Sequence, residues 1–322
     1  MLHFIVPGEL QGVLAFAGIM AAFAATILAT ARFSVYLPKD GGREYAHDGK
    51  LSAGKPRGAG IIFVICFAAA GFLFSPMSAE NNIYFLLLLI AMMTGFMDDA
   101  SKNPWGEYKK GFLDLLVAIM VAVTYVYYNG STLQLALMGV SFELPPVVYI
   151  VLAVILIWGS VNVTNCSDGV DGLSGTVSMI SMMTFYVIFN MLQAGEEFKY
   201  LILLFCVCIL GYLWYNATPS RLLMGDAGSR AMGLFIAICA LKSSAPILFV
   251  PVALVLILDG GLGLLKVFLL RFLKIHILKN VRTPLHDHVR KVWQWSNTQT
   301  VFRFAIIQIV LSVAVVYAIS MR

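Results

Sequence analysis

Asn165, Asp168 and Asp171 recur at every third position in the stretch Asn165-Cys166-Ser167-Asp168-Gly169-Val170-Asp171-Gly172-Leu173-Ser174-Gly175. Long apolar runs, Val147–Val161 and Val177–Met191, flank it on both sides. Ionisable groups at membrane depth are costly, so a cluster of this kind reads as functional. On a helical turn the three side chains would lie roughly on one face. Gly169, Gly172 and Gly175 would let backbone or ligand come close. The plainer reading is a polar turn with an Asp cap on the next helix. A calcium-binding loop is excluded, because the position of its closing Glu holds Met179.

Three further polar groups interrupt the apolar sequence. They are Asp98-Asp99 followed by Lys102, Lys109 and Lys110, then Asn216 with Met224-Gly225-Asp226-Ala227-Gly228-Ser229, and His286-Asp287-His288. Acids gathered with Lys, Arg and His suit a hard divalent cation and phosphate. Mg²⁺ takes one or two carboxylates and completes its shell with phosphate oxygens and water, a role that fits Asp98, Asp99 and Asp226. Phosphoryl transfer also needs cations where charge spreads, which Lys102, Lys110 and the histidines could supply. No Walker lysine loop is present, so a P-loop ATPase is excluded. Each group has a bland alternative: a solvated helix end, lysines on lipid headgroups, an Asp cap, an incidental His pair. His3, His47 and His276 read as surface residues.

The elements that must position these groups are membrane helices. Hydrophobic residues make up 60% and charged residues 12% of the 322, with a mean hydropathy of +0.86, far from the balance of soluble domains. Spans of about 20 apolar residues are expected over Leu10–Ala31, Ala59–Phe74, Ile83–Met97, Phe112–Tyr128, Val147–Val163, Leu173–Leu192, Tyr200–Tyr215, Ala231–Leu241, Ile247–Leu270 and Val301–Ser320. The chain is thus expected to be an all-α polytopic membrane protein of about ten spans, residues 1–322 forming one transmembrane domain. The first run lacks the basic flank of a signal peptide and is read as retained. Placing both termini outside puts 18 Lys and Arg on inner segments and leaves only Lys199, Lys242 and Arg322 outside, which the positive-inside rule favours strongly. All four polar groups then meet the cytoplasmic side, which scattered structural charges would have no reason to do. Residues 131–144 alternate around a Gly turn and read as a short outer β-hairpin. Asp259-Gly260-Gly261-Leu262-Gly263 is expected to break the ninth span, and broken membrane helices line cavities. The five cysteines read as small hydrophobes, and the net charge of +5 is no nucleic-acid signature.

With these residues in view, the chain resembles the polyprenyl-phosphate N-acetylhexosamine-1-phosphate transferases, most closely the phospho-N-acetylmuramoyl-pentapeptide-transferases of bacterial cell-wall synthesis. Asp98-Asp99, Asn165-x-x-Asp168-Gly169-x-Asp171-Gly172-Leu173, Met224-Gly225-Asp226-x-Gly228-Ser229 and Pro284-Leu285-His286-Asp287-His288 carry the resemblance, which runs from about Lys50 to Lys291. It implies that undecaprenyl phosphate attacks the β-phosphate of UDP-N-acetylmuramoyl-pentapeptide, giving lipid I and UMP with Mg²⁺, at the cytoplasmic face of the bacterial inner membrane. By position, Asp226 resembles the Mg²⁺ ligand, and Asp98 and Asp99 the pair that handles the metal-bound phosphates or the attacking lipid phosphate. Lys102 and Lys110 match phosphate-side lysines, while Asn165 and Asp168 would shape the site. Asp171 and Lys50 would contact the uracil end, Asn216 and Gly225 belong with the substrate-binding set, and His286 and His288 match two of three consecutive histidines. The lipid bilayer is the implied surroundings, and a homodimer is compatible with the family, although the sequence carries no interface signature.

The chain departs from the family pattern at Asp287, at Leu223 where an aromatic is usual, at Lys266 where Gln is usual, and across Gly54-Lys55-Pro56-Arg57-Gly58-Ala59-Gly60. Two other readings compete. A sister enzyme would transfer N-acetylglucosamine-1-phosphate to the same lipid. A secondary transporter would also have broken helices and intramembrane acids, but near the midplane rather than at one surface.

Overall fold

Each of the ten apolar stretches forms helix, and the helices wrap around a central post that is itself polar at both ends. The computed structural model describes residues 1–42, 52–101, 103 and 105–322. In chain order the principal elements are α1 (Gln11–Phe33), α2 (Gly60–Phe74), α3 (Ala79–Asp99), α4 (Glu107–Asn129), β1 (Thr132–Leu135) and β2 (Val140–Glu143). They continue with α5 (Pro146–Cys166), α6 (Leu173–Leu192), α7 (Glu196–Asn216) and α8 (Gly225–Lys242). After these come α9 (Pro246–Val252), α10 (Leu254–Leu273), α11 (Leu285–Lys291) and α12 (Asn297–Ser320). The chain is an all-α polytopic membrane protein, with β1 and β2 pairing antiparallel in the expected hairpin.

Among the described residues, seven helices are long and apolar enough to cross a membrane, or eight if α9 and α10 count as one bent span. The expected second and eighth spans fall short for different reasons. Helix α2 has 15 residues, and α8 carries Asp226, Arg230 and Lys242. α8 needs no lipid-compatible surface, because every residue from Ala227 to Leu241 is buried by its neighbours. It packs against α2, α3, α5 and α6. Close approach is possible because small residues stand at the crossings. A Cβ on Gly60 would come within 2.0 Å of the Gly228 nitrogen, and one on Gly95 within 2.4 Å of the Asp226 carbonyl oxygen. Phe63, Phe67, Phe205 and Phe235 fill the layer above these crossings with interlocking rings. The outward faces of α1, α4, α5 and α12 leave apolar side chains such as Phe16, Ile119, Ile155 and Val310 exposed, as lipid-facing surfaces do.

The ninth span is broken, but not where the Asp-Gly-Gly run suggests. The chain turns by 68° between α9 and α10, at Ala253. Asp259-Gly260-Gly261 instead continues the helix as a π-type turn over Ile257–Gly261. Pro251, which lacks an N–H to bond back to the Ile247 carbonyl, lies just ahead of the bend. The interrupted backbone is satisfied from the bundle. Gln308 accepts from the Val255 N–H at 3.1 Å and donates to the Val252 carbonyl at 2.8 Å, which also accepts from the Ser181 hydroxyl at 2.7 Å. Irregular backbone at membrane depth persists only with such partners.

Candidate active site

Helix α3 ends on Asp98-Asp99 and α8 begins on Gly225-Asp226, and a strip of backbone sews a third segment to them. The Leu223 N–H donates to the Pro56 carbonyl at 2.8 Å, and the Ala59 and Gly60 N–H groups donate to Leu223 and Met224 at 3.0 Å. This strip places Arg57 beside the first turn of α8. Gly225 has φ +71°, and a Cβ there would lie 2.2 Å from Asp99 Oδ2, so only glycine fits. Asp99 Oδ2 accepts the Ala227 N–H at 3.1 Å, capping the positive end of α8.

Charged side chains join these elements into one network. Arg57 Nε donates to Asp99 Oδ1 at 2.9 Å and a terminal nitrogen to Asp40 at 3.3 Å, while the other terminal nitrogen stands 3.9 Å from Asp226. Lys110, one turn into α4, pairs with Asp98 and stands 3.3 Å from Asp226 Oδ2. Arg230 bridges Asp226 and Asp114, both at 3.1 Å. Asp98 Oδ1 also accepts the Trp105 N–H at 2.7 Å. Burial works against the Arg57 charge, but Asp99, Asp226 and Asp40 outweigh it and raise its pKa. Among the described residues the network holds five carboxylates (Asp40, Asp98, Asp99, Asp114 and Asp226) and three cations, so two negative charges are in excess.

The residues singled out in the sequence fall into three groups. Asp98, Asp99, Lys110, Gly225 and Asp226 meet in this network. Asn165 reaches it from the last turn of α5, donating to Ser229 Oγ at 2.9 Å. Asp171 and Asn216 hold the connection that delivers Leu223 and Met224. Asp171 accepts the Ser220 N–H at 3.1 Å, and Asn216 accepts from the Gly172 N–H at 2.8 Å and donates to the Leu222 carbonyl at 2.9 Å. Asp168 is half-buried in the turn between α5 and α6, not on a continuing helix face. Lys50 and Lys102 lie outside the described residues.

The two histidines separate. His286 is buried, its N–H and its Nδ1 both donating to Asp259, at 2.8 and 2.9 Å. Its Nε2 edge faces the Gly169 turn so closely that a Cβ at 169 would stand 2.2 Å away. Burial lowers the His286 pKa, but the Asp259 charge and hydrogen bond prevail and raise it above the usual 6.5. His288 points elsewhere. Its Nδ1 accepts the Arg282 N–H at 3.3 Å, and its ring meets Trp293 edge-on at 5.8 Å. Lys266 secures the same loop, donating to the Leu278 and Val281 carbonyls at 3.0 Å each.

An apolar cavity of about 430 Å³ follows α5 from the hairpin to Val163, two residues short of Asn165, and none of the charged network residues lines it. Tyr149, Leu156, Gly159 and Val163 form one wall, and Phe249 and Ile257, from the two arms of the broken helix, form the other. The broken span is therefore a cavity wall, as its sequence suggested.

Sequence reasoning passed over Arg57, Asp40, Arg230, Asp114 and Asp259 as members of the site. Arg230 and Asp114 carried a signal: Arg230 stands one helical turn from Asp226, and Asp114 is an acid inside an apolar run. Asp259 was visible only as a helix breaker, and nothing local linked it to His286. Arg57 and Asp40 lie in a connection whose partners only the fold brings near.

The chain is similar to known proteins over most of its length. The profile of a family described as "Glycosyl transferase family 4" matches residues 82–244, half of the chain. The phospho-N-acetylmuramoyl-pentapeptide-transferase of Treponema pallidum (strain Nichols) is 38% identical over 296 residues, covering 86% of this chain and 82% of the relative. The chain belongs to glycosyl transferase family 4. Relatives of the same name from Clostridium acetobutylicum, 26% identical over 88% of this chain and 90% of theirs, and from Thermotoga maritima, 25% identical over 87% and 89%, extend the likeness. As a family 4 member, the chain is a membrane phosphoglycosyl transferase, and its matched region spans α3 to α8, the helices that build the charged network.

Proposed function

We propose that the chain transfers phospho-N-acetylmuramoyl-pentapeptide from its UDP derivative to undecaprenyl phosphate, releasing UMP and forming lipid I. The observation that carries the reading is the excess, among the described residues, of two negative charges where α3, α4 and α8 meet. The residues present fit Mg²⁺. Their donors are hard carboxylate oxygens, with Asp98 and Asp226 both on Lys110, while among the described residues no three His, Cys, Asp or Glu side chains are gathered closely enough to hold an ion by themselves. An open site of one or two carboxylates leaves room for phosphate oxygens, as Mg²⁺ prefers. Asp226 would hold the ion, with Asp98 and Asp99 beside it. Bound there, Mg²⁺ would reduce the repulsion between two anionic substrates.

The chain's own groups do the rest. Lys110 sits between Asp98 and Asp226 and can turn to a phosphate oxygen as charge develops. In the substrate-free protein both Asp99 oxygens and the Asp98 Oδ1 accept hydrogen bonds. A lipid phosphate is already ionised at neutral pH, and this supports its direct attack without a covalent intermediate. The polyprenyl tail would lie in the cavity along α5, and water would be excluded from the reacting end by the buried Asp259–His286 pair. Asp171 and Asn216 keep the 217–224 connection in place, and Lys50 completes the uridine end. In this reading residues 1–322 form one transferase domain in the bacterial inner membrane, and the basic residues on the inner segments support termini outside and a site that faces the cytoplasm.

The experiment is a purified-protein assay of UMP release from UDP-N-acetylmuramoyl-pentapeptide and undecaprenyl phosphate, with and without Mg²⁺. The expected result is release that chelation abolishes. Preference for UDP-N-acetylglucosamine would assign the chain to the sister reaction, and no release from either would reject the reading.

A further inference from the structure

Arg57 occupies a place in the charged network that Arg230 does not. The Arg230 side chain is 3% exposed and doubly engaged by Asp114 and Asp226, as a structural cation would be. The Arg57 side chain is 26% exposed, and its backbone is pinned by the Pro38 carbonyl and by the neighbouring bond from Leu223 to Pro56. One guanidinium nitrogen binds Asp99 and a second binds Asp40, while the third stops 3.9 Å from Asp226, beyond hydrogen-bond reach. A planar fork with one arm unfilled, partly open and fixed beside the acid assigned to the ion, is the geometry that recognises phosphate.

We propose that Arg57 is a phosphate-binding residue that holds the carboxylates of Asp99 and Asp40 and stands beside Asp226 in the substrate-free protein, and that its third nitrogen turns to a substrate phosphate when the divalent cation takes Asp226. The inference rests on the phosphoryl-transfer reading above and adds a residue and an order of events to it. Its consequence is a pair of effects with opposite sign. Removing the guanidinium takes away a charge that competes with Mg²⁺, and also takes away a contact to phosphate.

The test uses full-length Arg57→Gln and Arg57→Lys proteins, each checked by thermal unfolding. Mg²⁺ binding without substrates is followed by calorimetry, and KM is measured separately for the nucleotide donor and the lipid acceptor. Arg57→Gln should bind Mg²⁺ several-fold more tightly than the parent. One of the two KM values should rise about tenfold or more, the scale of a charge-assisted hydrogen bond. Which KM rises tells whether the phosphate belongs to donor or acceptor. Arg57→Lys should keep the parent Mg²⁺ affinity and raise the same KM by less, because an ammonium lacks the fork. Unchanged Mg²⁺ affinity in Arg57→Gln overturns the proposal, as do two unmoved KM values. If Arg57→Gln does not fold, unmoved KM values in Arg57→Lys overturn it alone. Failure of the parent protein to turn over either UDP-sugar would reject the broader reading instead, and the Mg²⁺ titration would still judge Arg57.

Discussion

Helices α3, α4 and α8 are tied together by charged side chains at both ends, and the two ties differ in kind. At one end Glu80 pairs with Lys242 at 2.9 Å and accepts from Tyr84 and Asn129, both at 2.7 Å, while Lys242 also donates to Asn129 at 3.0 Å. One acid meets one base, and the group is closed. At the other end the same three helices, with the strip carrying Arg57 and Asp40, bring together Asp98, Asp99, Asp114 and Asp226 against too few cations. A balanced buried pair fixes how helices sit. An unbalanced one is costly unless something else completes it, and under the proposed reaction that something would be a cation and phosphate.

The two ties should therefore fail differently. The largest effect is expected for Asp226→Asn, with turnover in the UMP-release assay lower by about three orders of magnitude and the melting temperature little changed. Lys242→Met should do the reverse. It strands the Glu80 carboxylate among neutral donors and should cost about 2–3 kcal/mol of stability, read by thermal unfolding, with turnover per folded molecule unchanged. A smaller effect concerns the cavity between them. A Cβ on Gly159 meets nothing within 4 Å, so Gly159→Leu fills the cavity without moving the backbone. KM for the lipid acceptor should rise about three- to tenfold, and KM for the donor should not. The smallest is a pH effect at His286. Its folded pKa is raised above 6.5, so its contribution to stability is complete below that pH and is lost as pH rises through the folded value. Asp259 and Asp287 favour the charged ring and Arg290 opposes it. Melting temperatures measured upward from pH 6 should fall in the parent and run flatter in Asp259→Asn.

The contrast also shows what the sequence could reveal. Hydrophobic runs located every long helix, because a lipid-facing or buried helix must be apolar over its length, while α8 was recognisable only in part because its ends are charged and the short polar α11 was not located at all. Asp98, Asp99 and Asp226 stood out because acids at the ends of apolar runs have few structural reasons to be there. Arg57 and Asp40 did not, since a loop has no periodicity to say which way it folds back. The Asp259–His286 pair is joined by the path of α10 and the loop after it, so its two halves looked like a helix breaker and a loose histidine. The bend at Ala253 was misplaced because glycines drew attention from it, and the side chains that complete its backbone, Gln308 and Ser181, come from other helices.

The most direct measurement is calorimetric titration of Mg²⁺ into the parent protein, Asp226→Asn and Glu80→Gln, without substrates. The account predicts that binding is lost in Asp226→Asn and retained in Glu80→Gln. Equal binding in the parent and Asp226→Asn would contradict it.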